Sequence, residues 1–162
     1  MSQREKGRQY DGRSRPTNDK YKKEYSSEYV KEVSLEELFI ESDILSIHLP
    51  LTTETHFIID RDFISKFSKP IYIINTARGK NIKTEDLIYS LESGKVLGAC
   101  LDVLEYESIS FEKLSNSELP NTFNRLINSK KVILSPHVAG WTKESYFKLS
   151  ASLADKILRT KN

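Results

Sequence analysis

The stretch that decides the fold is IYIINTARG, residues 71–79: an apolar run of strand length, entered from Pro70 and closed by Arg78 and Gly79. Two more segments repeat the arrangement, LGACLDVLEYE (97–107) and VILSPHVAGW (132–141), each with a polar group at or just past the C-terminal end of its apolar run. In open α/β sheets the carboxyl ends of parallel strands open onto the ligand crevice, so Arg78, Glu107 and His137 are expected to meet there. A guanidinium, a carboxylate and an imidazole in one cleft point to proton chemistry on an acidic substrate.

Outward from these segments, short β-rich runs alternate with longer stretches of helical spacing from Val30 onward, the pattern of βαβ units and a parallel sheet. Ser34 stands three residues before Glu37, a capping-box signal, and Leu35, Leu38 and Phe39 give the helix an apolar stripe. A strand over residues 44–49 stops at Pro50, and Ile59, Phe63, Ile64 and Phe67 predict a helix over about 60–67. Residues 71–75 follow as a strand. Thr84, with Glu85 and Asp86 in the next turn, opens a helix carrying Leu87, Ile88 and Leu91, which Gly94 ends. Strands over 97–103 and 132–134 and a helix over 143–159 complete the pattern, the helix presenting Phe147, Leu149, Leu153, Ile157 and Leu158. The polar connection between Glu107 and Lys131 is too long for a bare loop in a compact domain. It is expected to hold a short helix on the substrate or dimer side.

The 162 residues, 38% hydrophobic and 30% charged, suit one domain with a modest core. No run approaches the roughly 18 apolar residues of a membrane span, and the first residues hold no apolar signal segment, so a cytoplasmic location is expected. Cys100 is the single cysteine, which excludes an intrachain disulfide and leaves it to pack as a small buried residue. Net charge is +2, but residues 1–23 hold 8 Lys and Arg against 3 Asp and Glu, leaving 17 against 20 beyond them. Arg4, Arg8, Arg13 and Arg15 lie among Gly, Ser, Gln and Pro without apolar periodicity, so residues 1–18 are expected to form a disordered basic tail. Nucleic-acid binding through that tail is the lesser alternative.

Each polar residue also has a bland reading. Arg78 can merely neutralise a sheet end; beside Gly79, its planar fork can hold a carboxylate by two parallel bonds. His137 can be a structural histidine, or it can pass a proton to a developing alkoxide, with Glu107 as acceptor on its other nitrogen and as stabiliser of the imidazolium. Asp102 can cap a turn or accept a bond from a ligand amide. His48 is assigned a structural or cofactor-edge role. With His56 it makes no metal set, because no carboxylate or cysteine stands at ligand spacing.

SLEELFIESDILSIHLPLTTET (34–55), INTARGK (74–80) with DLIYSLESGKVLGACLDVLEYE (86–107), and VILSPHVAGWTKES (132–145) together resemble the D-isomer-specific 2-hydroxyacid dehydrogenases, the family that includes phosphoglycerate dehydrogenase. The resemblance implies an α/β fold, a partial Rossmann-like parallel sheet with helices on both faces that lacks the first βα unit. It further implies NAD as cofactor and hydride transfer between a 2-keto and a D-2-hydroxy acid. By the same resemblance Arg78 binds the acid, His137 donates and accepts the proton, and Glu107 is its partner. Asp19, Leu49, Pro50, Thr55, Thr76, Ala77, Arg78, Asp102 and His137 would line the cofactor, Asp19 at the adenosine ribose and Asp102 near the nicotinamide amide.

The departures carry equal information. No G-x-G-x-x-G occurs, so the turn that holds a pyrophosphate is absent. Residues 19–162 are therefore expected to be the C-terminal part of an NAD-binding domain from a longer enzyme, inactive alone, whose partners are a small 2-hydroxy or 2-keto acid and either a second copy or the missing N-terminal half. In the sheet order 3-2-1-4-5-6 the missing strands fall in the middle, which is expected to cut residues 44–49 off from 71–75. A non-catalytic interaction or dimerisation module built on such open edges is the competing reading.

Overall fold

The computed structural model describes residues 15–106 and 120–159. Glu107, expected at the site, and most of the polar connection that follows it lie outside the described residues. Two parallel sheets are present. In one, β1 (Arg15–Thr17) pairs with β2 (Val30–Glu32); in the other, β3 (Ile44–Ile47), β4 (Ile71–Asn75), β5 (Val96–Leu101) and β6 (Val132–Leu134) lie side by side in that order. The helices are α1 (Leu35–Glu41), α2 (Arg61–Ser65), α3 (Thr84–Glu92), α4 (Asn121–Ile127) and α5 (Lys143–Arg159).

Local signals explain most boundaries. Ser34 and Glu37 form the capping box, each backbone N–H donating to the other's side chain at 3.1 Å. Asp60 opens α2 by accepting from the Phe63 amide at 2.8 Å. Gly94 leaves α3 at φ +79°, a conformation that costs a side-chain-bearing residue about 1 kcal/mol or more.

Two expectations are corrected. Residues 44–49 are not cut off from 71–75: Ile44 faces Tyr72 and Ile47 faces Asn75 in direct parallel register. These strands occupy neighbouring places four and five of the 3-2-1-4-5-6 order, so the break falls between β1 and β3 instead. Nor does the tail reach residue 18, because Arg15–Thr17 form a strand. The Arg15 amide donates to Tyr29 O and the Val33 amide to Thr17 O, both at 3.0 Å. A polar strand of this length needs only backbone partners, which no apolar pattern reveals.

Side chains alternate along each strand, so one face of the larger sheet carries Leu45, Ile47, Ile73, Ala99 and Leu101. That face buries against Ile64 of α2 and Phe67 just past its end, Leu87, Ile88 and Leu91 of α3 and Leu126 of α4. Phe39 of α1 joins them, its ring edge-on to Phe63 and Phe67 at 5.1 and 5.0 Å. The opposite face presents Ile44 (57% exposed), Tyr72 (49%) and Ile133 (68%). Cys100 lies there too and is exposed, contrary to the burial its size suggests, because strand parity decides its side. α5 forms over the expected residues yet buries none of them.

Candidate active site at the carboxyl ends of the strands

Because β3 to β6 are parallel, their C-terminal ends lie along one edge of the sheet, and the groups singled out in the sequence follow those ends in turn. After β3 come His48, Leu49 and Pro50. Thr55 pins this loop by donating its hydroxyl to Pro50 O at 2.6 Å, and Asn81 ties it to the next turn through Nδ2 to Thr55 O at 3.1 Å. His48 is exposed, with Nε2 2.9 Å from Ser46 Oγ.

After β4 the chain makes a tight turn built by Asn75, which is fully buried. Its Nδ2 donates to Arg78 O and its Oδ1 accepts from the Ala77 amide, both at 3.0 Å. The turn leaves Thr76 and Arg78 exposed, with Arg78 Nη1 donating to Ala77 O at 2.6 Å. Gly79 then packs against the loop after β5: a Cβ here would stand 1.9 Å from Leu104 O and 2.0 Å from Leu104 C. Glycine is required at this close approach, and it seats residues 102–105 beside the Arg78 turn. Glu105 consolidates the contact by accepting from the Thr84 amide at 3.0 Å, which caps α3 where the flanking Lys83 side chain does not.

Asp102 follows β5 and is 5% exposed. Its amide donates to Asn75 O at 2.9 Å, and its carbonyl accepts from the His137 amide at 3.0 Å. Its carboxylate gathers the loop after β6: Oδ1 accepts from the Ser135 hydroxyl and, at 2.9 Å, from the Val138 amide, while Oδ2 accepts from the Ala139 amide at 2.9 Å. Burial pushes this carboxyl up, but the Ser135 hydroxyl, the two amides and the charge of His137 outweigh it and hold the group below its ordinary value. These bonds keep His137 at φ +55°, a left-handed conformation uncommon for a non-glycine residue. Asp102, expected beside a nicotinamide amide, is thus engaged by three donors of the chain itself.

Asp19 lies past the end of β1 and accepts the amides of Tyr21 and Lys22 at 2.9 and 3.0 Å. Those amides, Lys22 first, stabilise the carboxylate and hold the Asp19 carboxyl below the ordinary carboxylate range. Its neighbours reach the loop after β3, Lys20 Nζ and Tyr21 OH meeting Glu54 Oε2 at 2.6 and 2.9 Å. The structure therefore wires Asp102 to the His137 loop and seats it against the Arg78 turn, and it tethers the Asp19 turn to the Pro50 loop. Sequence reading missed Asn75, Glu105 and Ser135; the available signal was a polar residue closing an apolar strand two positions before Ala77, the spacing of an Asx turn. Among the described residues no cluster of three or more His, Cys, Asp or Glu could hold a metal ion, and no helix is long and apolar enough to cross a membrane.

Comparison with known proteins places this geometry. Residues 12–139 match the D-isomer specific 2-hydroxyacid dehydrogenase, NAD binding domain. The chain is 37% identical over 129 residues to an aromatic 2-oxoacid reductase of Clostridium sporogenes (strain ATCC 15579), covering 78% of itself and 39% of that protein. It is 34% identical over 127 residues to a D-lactate dehydrogenase of Treponema pallidum (strain Nichols), covering 77% of itself and 38% of the relative. Among solved structures, the NAD-complexed form of a D-isomer specific 2-hydroxyacid dehydrogenase from Lactobacillus delbrueckii ssp. bulgaricus superposes with a TM-score of 0.77 at 28% identity, over 90% of this chain and 45% of that one. The chain spans less than half the length of these relatives, and it belongs to the D-isomer specific 2-hydroxyacid dehydrogenase family through its NAD-binding domain.

Proposed function

We propose that this chain supplies the acid–base and carboxylate-binding half of a D-2-hydroxyacid dehydrogenase site, using NAD with a small 2-keto or 2-hydroxy acid in the cytoplasm, and that it is inactive alone. The observation that carries this reading is the placement of the Arg78 turn, Asp102 and the His137 loop at successive ends of one parallel sheet. The residues present fit the nicotinamide half of the cofactor: Leu49, Pro50, Thr76 and Ala77 lie along the edge where Arg78 and His137 provide the polar groups. They do not fit the pyrophosphate half, since the sequence contains no glycine-rich turn. When bound, NADH supplies the hydride.

Within that site the guanidinium of Arg78 holds the substrate carboxylate by two parallel bonds and polarises the neighbouring carbonyl. His137 protonates the developing alkoxide, a task typically worth about 10²–10⁴ in rate. Glu107, which the family resemblance makes the partner of this histidine, would orient the imidazole. Asp102 is a positioning residue, holding the backbone of the His137 loop rather than touching the reactants. NADH fluorescence titration of the purified chain tests the reading: no saturable binding is expected, and a micromolar constant would show that the missing cradle is dispensable. In a complex restored with the missing half, His137→Ala is expected to abolish turnover with NADH binding retained; equal loss of both would reduce His137 to a structural role.

A further inference from the structure

None of the 17 residues of α5 is buried, although isolated helices of this length are marginal in water and take most of their stability from packing. The helix is about 25 Å long, and Tyr146, Leu149, Ser150, Leu153 and Ile157 fall on one stripe of its 3.6-residue repeat. The four large members of that stripe are between 49% and 67% exposed. Glu144, Lys148, Asp155 and Arg159 lie on the other side, where Arg159 Nη2 meets Asp155 Oδ2 of the same helix at 2.9 Å. The stripe is complementary to itself in one direction. When two copies of α5 lie antiparallel about an axis between Ala151 and Ser152, Tyr146 stands level with Ile157 of the other copy, Leu149 with Ala154 and Leu153 with Ser150. A large side chain thus meets a small one on both sides of the axis, where the two helices come closest.

We propose that α5 is an interface between two copies of this chain, pairing antiparallel through the Tyr146–Ile157 stripe about a two-fold axis between Ala151 and Ser152. The charges of the helix obey the same symmetry: Lys148 stands level with Asp155 of the second copy and Glu144 with Arg159. A parallel pair would set every residue level with its own copy, leaving gaps at Ser150 and bringing like charges side by side. Each exposed charge contributes little, but the charges and the opposed helix dipoles favour the same direction as the packing. The stripe offers roughly 500 Å² per copy against about 800 Å² in a standard interface, which makes the dimer weak and dependent on concentration. Nothing in this pairing depends on the dehydrogenase reading, because it uses no residue of the site.

Sedimentation equilibrium of the purified 162-residue chain over a concentration series is the first test, and the mass is expected to climb from monomer towards dimer. Leu153→Glu sets two carboxylates close together across the axis and should raise the dissociation constant about tenfold or more. Because Leu153 is exposed in the single chain, the unfolding midpoint at low concentration should stay in place. The direction of pairing is read by crosslinking in chains whose only native cysteine is removed by Cys100→Ser. A Tyr146→Cys chain mixed with an Ile157→Cys chain should be joined by a bismaleimide spanning about 8–10 Å, the usual separation of packed helix axes. Neither chain should be joined to its own kind, since like positions then lie about 16 Å apart along the axis. A monomer at every concentration, a dimer that Leu153→Glu leaves intact, or crosslinks between like positions would overturn the proposal. So would slowed amide exchange in α5 at the mass of a monomer, which would put the helix on its own body instead.

Discussion

The segment from β3 to α4 and the segment from Ser135 to Arg159 carry comparable apolar patterns and end in opposite physical states. In the first, Ile64, Phe67, Ile71, Ile73 and Val96 are at most 1% exposed, and Asn75 lies fully buried among hydrogen-bond partners. In the second, Phe147 is 75% exposed, Leu153 61% and Leu158 67%. The difference teaches that an amphipathic pattern specifies a helix without specifying what covers it. The first segment contains its own covering layers, while the second is held to the body through its start, by Asp102.

The sharpest way to break this contrast is to truncate matched aromatics. Phe67→Ala should cost about 4 kcal/mol of unfolding free energy, whereas Phe147→Ala should stay within about 0.5 kcal/mol, both by urea denaturation. Similar losses would mean that α5 packs on the body in solution. Matched glycines come next. Gly79→Ala drives a Cβ into Leu104 backbone and should cost about 3 kcal/mol, while Gly140→Ala, with nothing within 4 Å of its Cβ, should be neutral to about 0.5 kcal/mol. A tolerant Gly79 would unseat the loop that brings residues 102–105 to the Arg78 turn.

A smaller effect probes the joint between the two segments. Asp102→Asn should cost about 1–2 kcal/mol and release the Val138 and Ala139 amides to exchange. Because the Asp102 carboxyl titrates below its ordinary value of 3.8 in the folded chain, ionisation adds stability that is present above that value. That stability disappears as pH falls through the lower, folded-state value. The variant should therefore lose part of the acid sensitivity of unfolding; an unchanged profile between wild type and variant would show that the clamp does not depend on the charge.

How much was legible follows from where each determinant resides. β4, β6 and α5 were readable to the residue, since strand and helix periodicities and the stops at Pro70 and Ser135-Pro136 are contiguous. The Ser34–Glu37 box and Gly94 were readable for the same reason. Of the site, Arg78, Asp102 and His137 stood out as polar groups at strand ends, and the structure places them along one edge. β1 escaped because a strand of Arg, Pro and Thr is selected by its partner's backbone. Asn75 and Glu105 escaped because they act on residues brought near only by folding.

What these amino acids determined alone was the succession of βα elements, their caps and the order in which polar groups follow the strands, all of it encoded within a few residues. Tertiary structure alone decided that β3 lies beside β4, that Cys100 faces solvent, and that the Asp102 carboxylate grips the loop of His137. Those outcomes depend on hydrogen bonds and sheet parity between segments some thirty residues apart, the 33 to 37 that separate Asp102 from Ser135 and Ala139 among them, and such contacts exist only once the chain has folded.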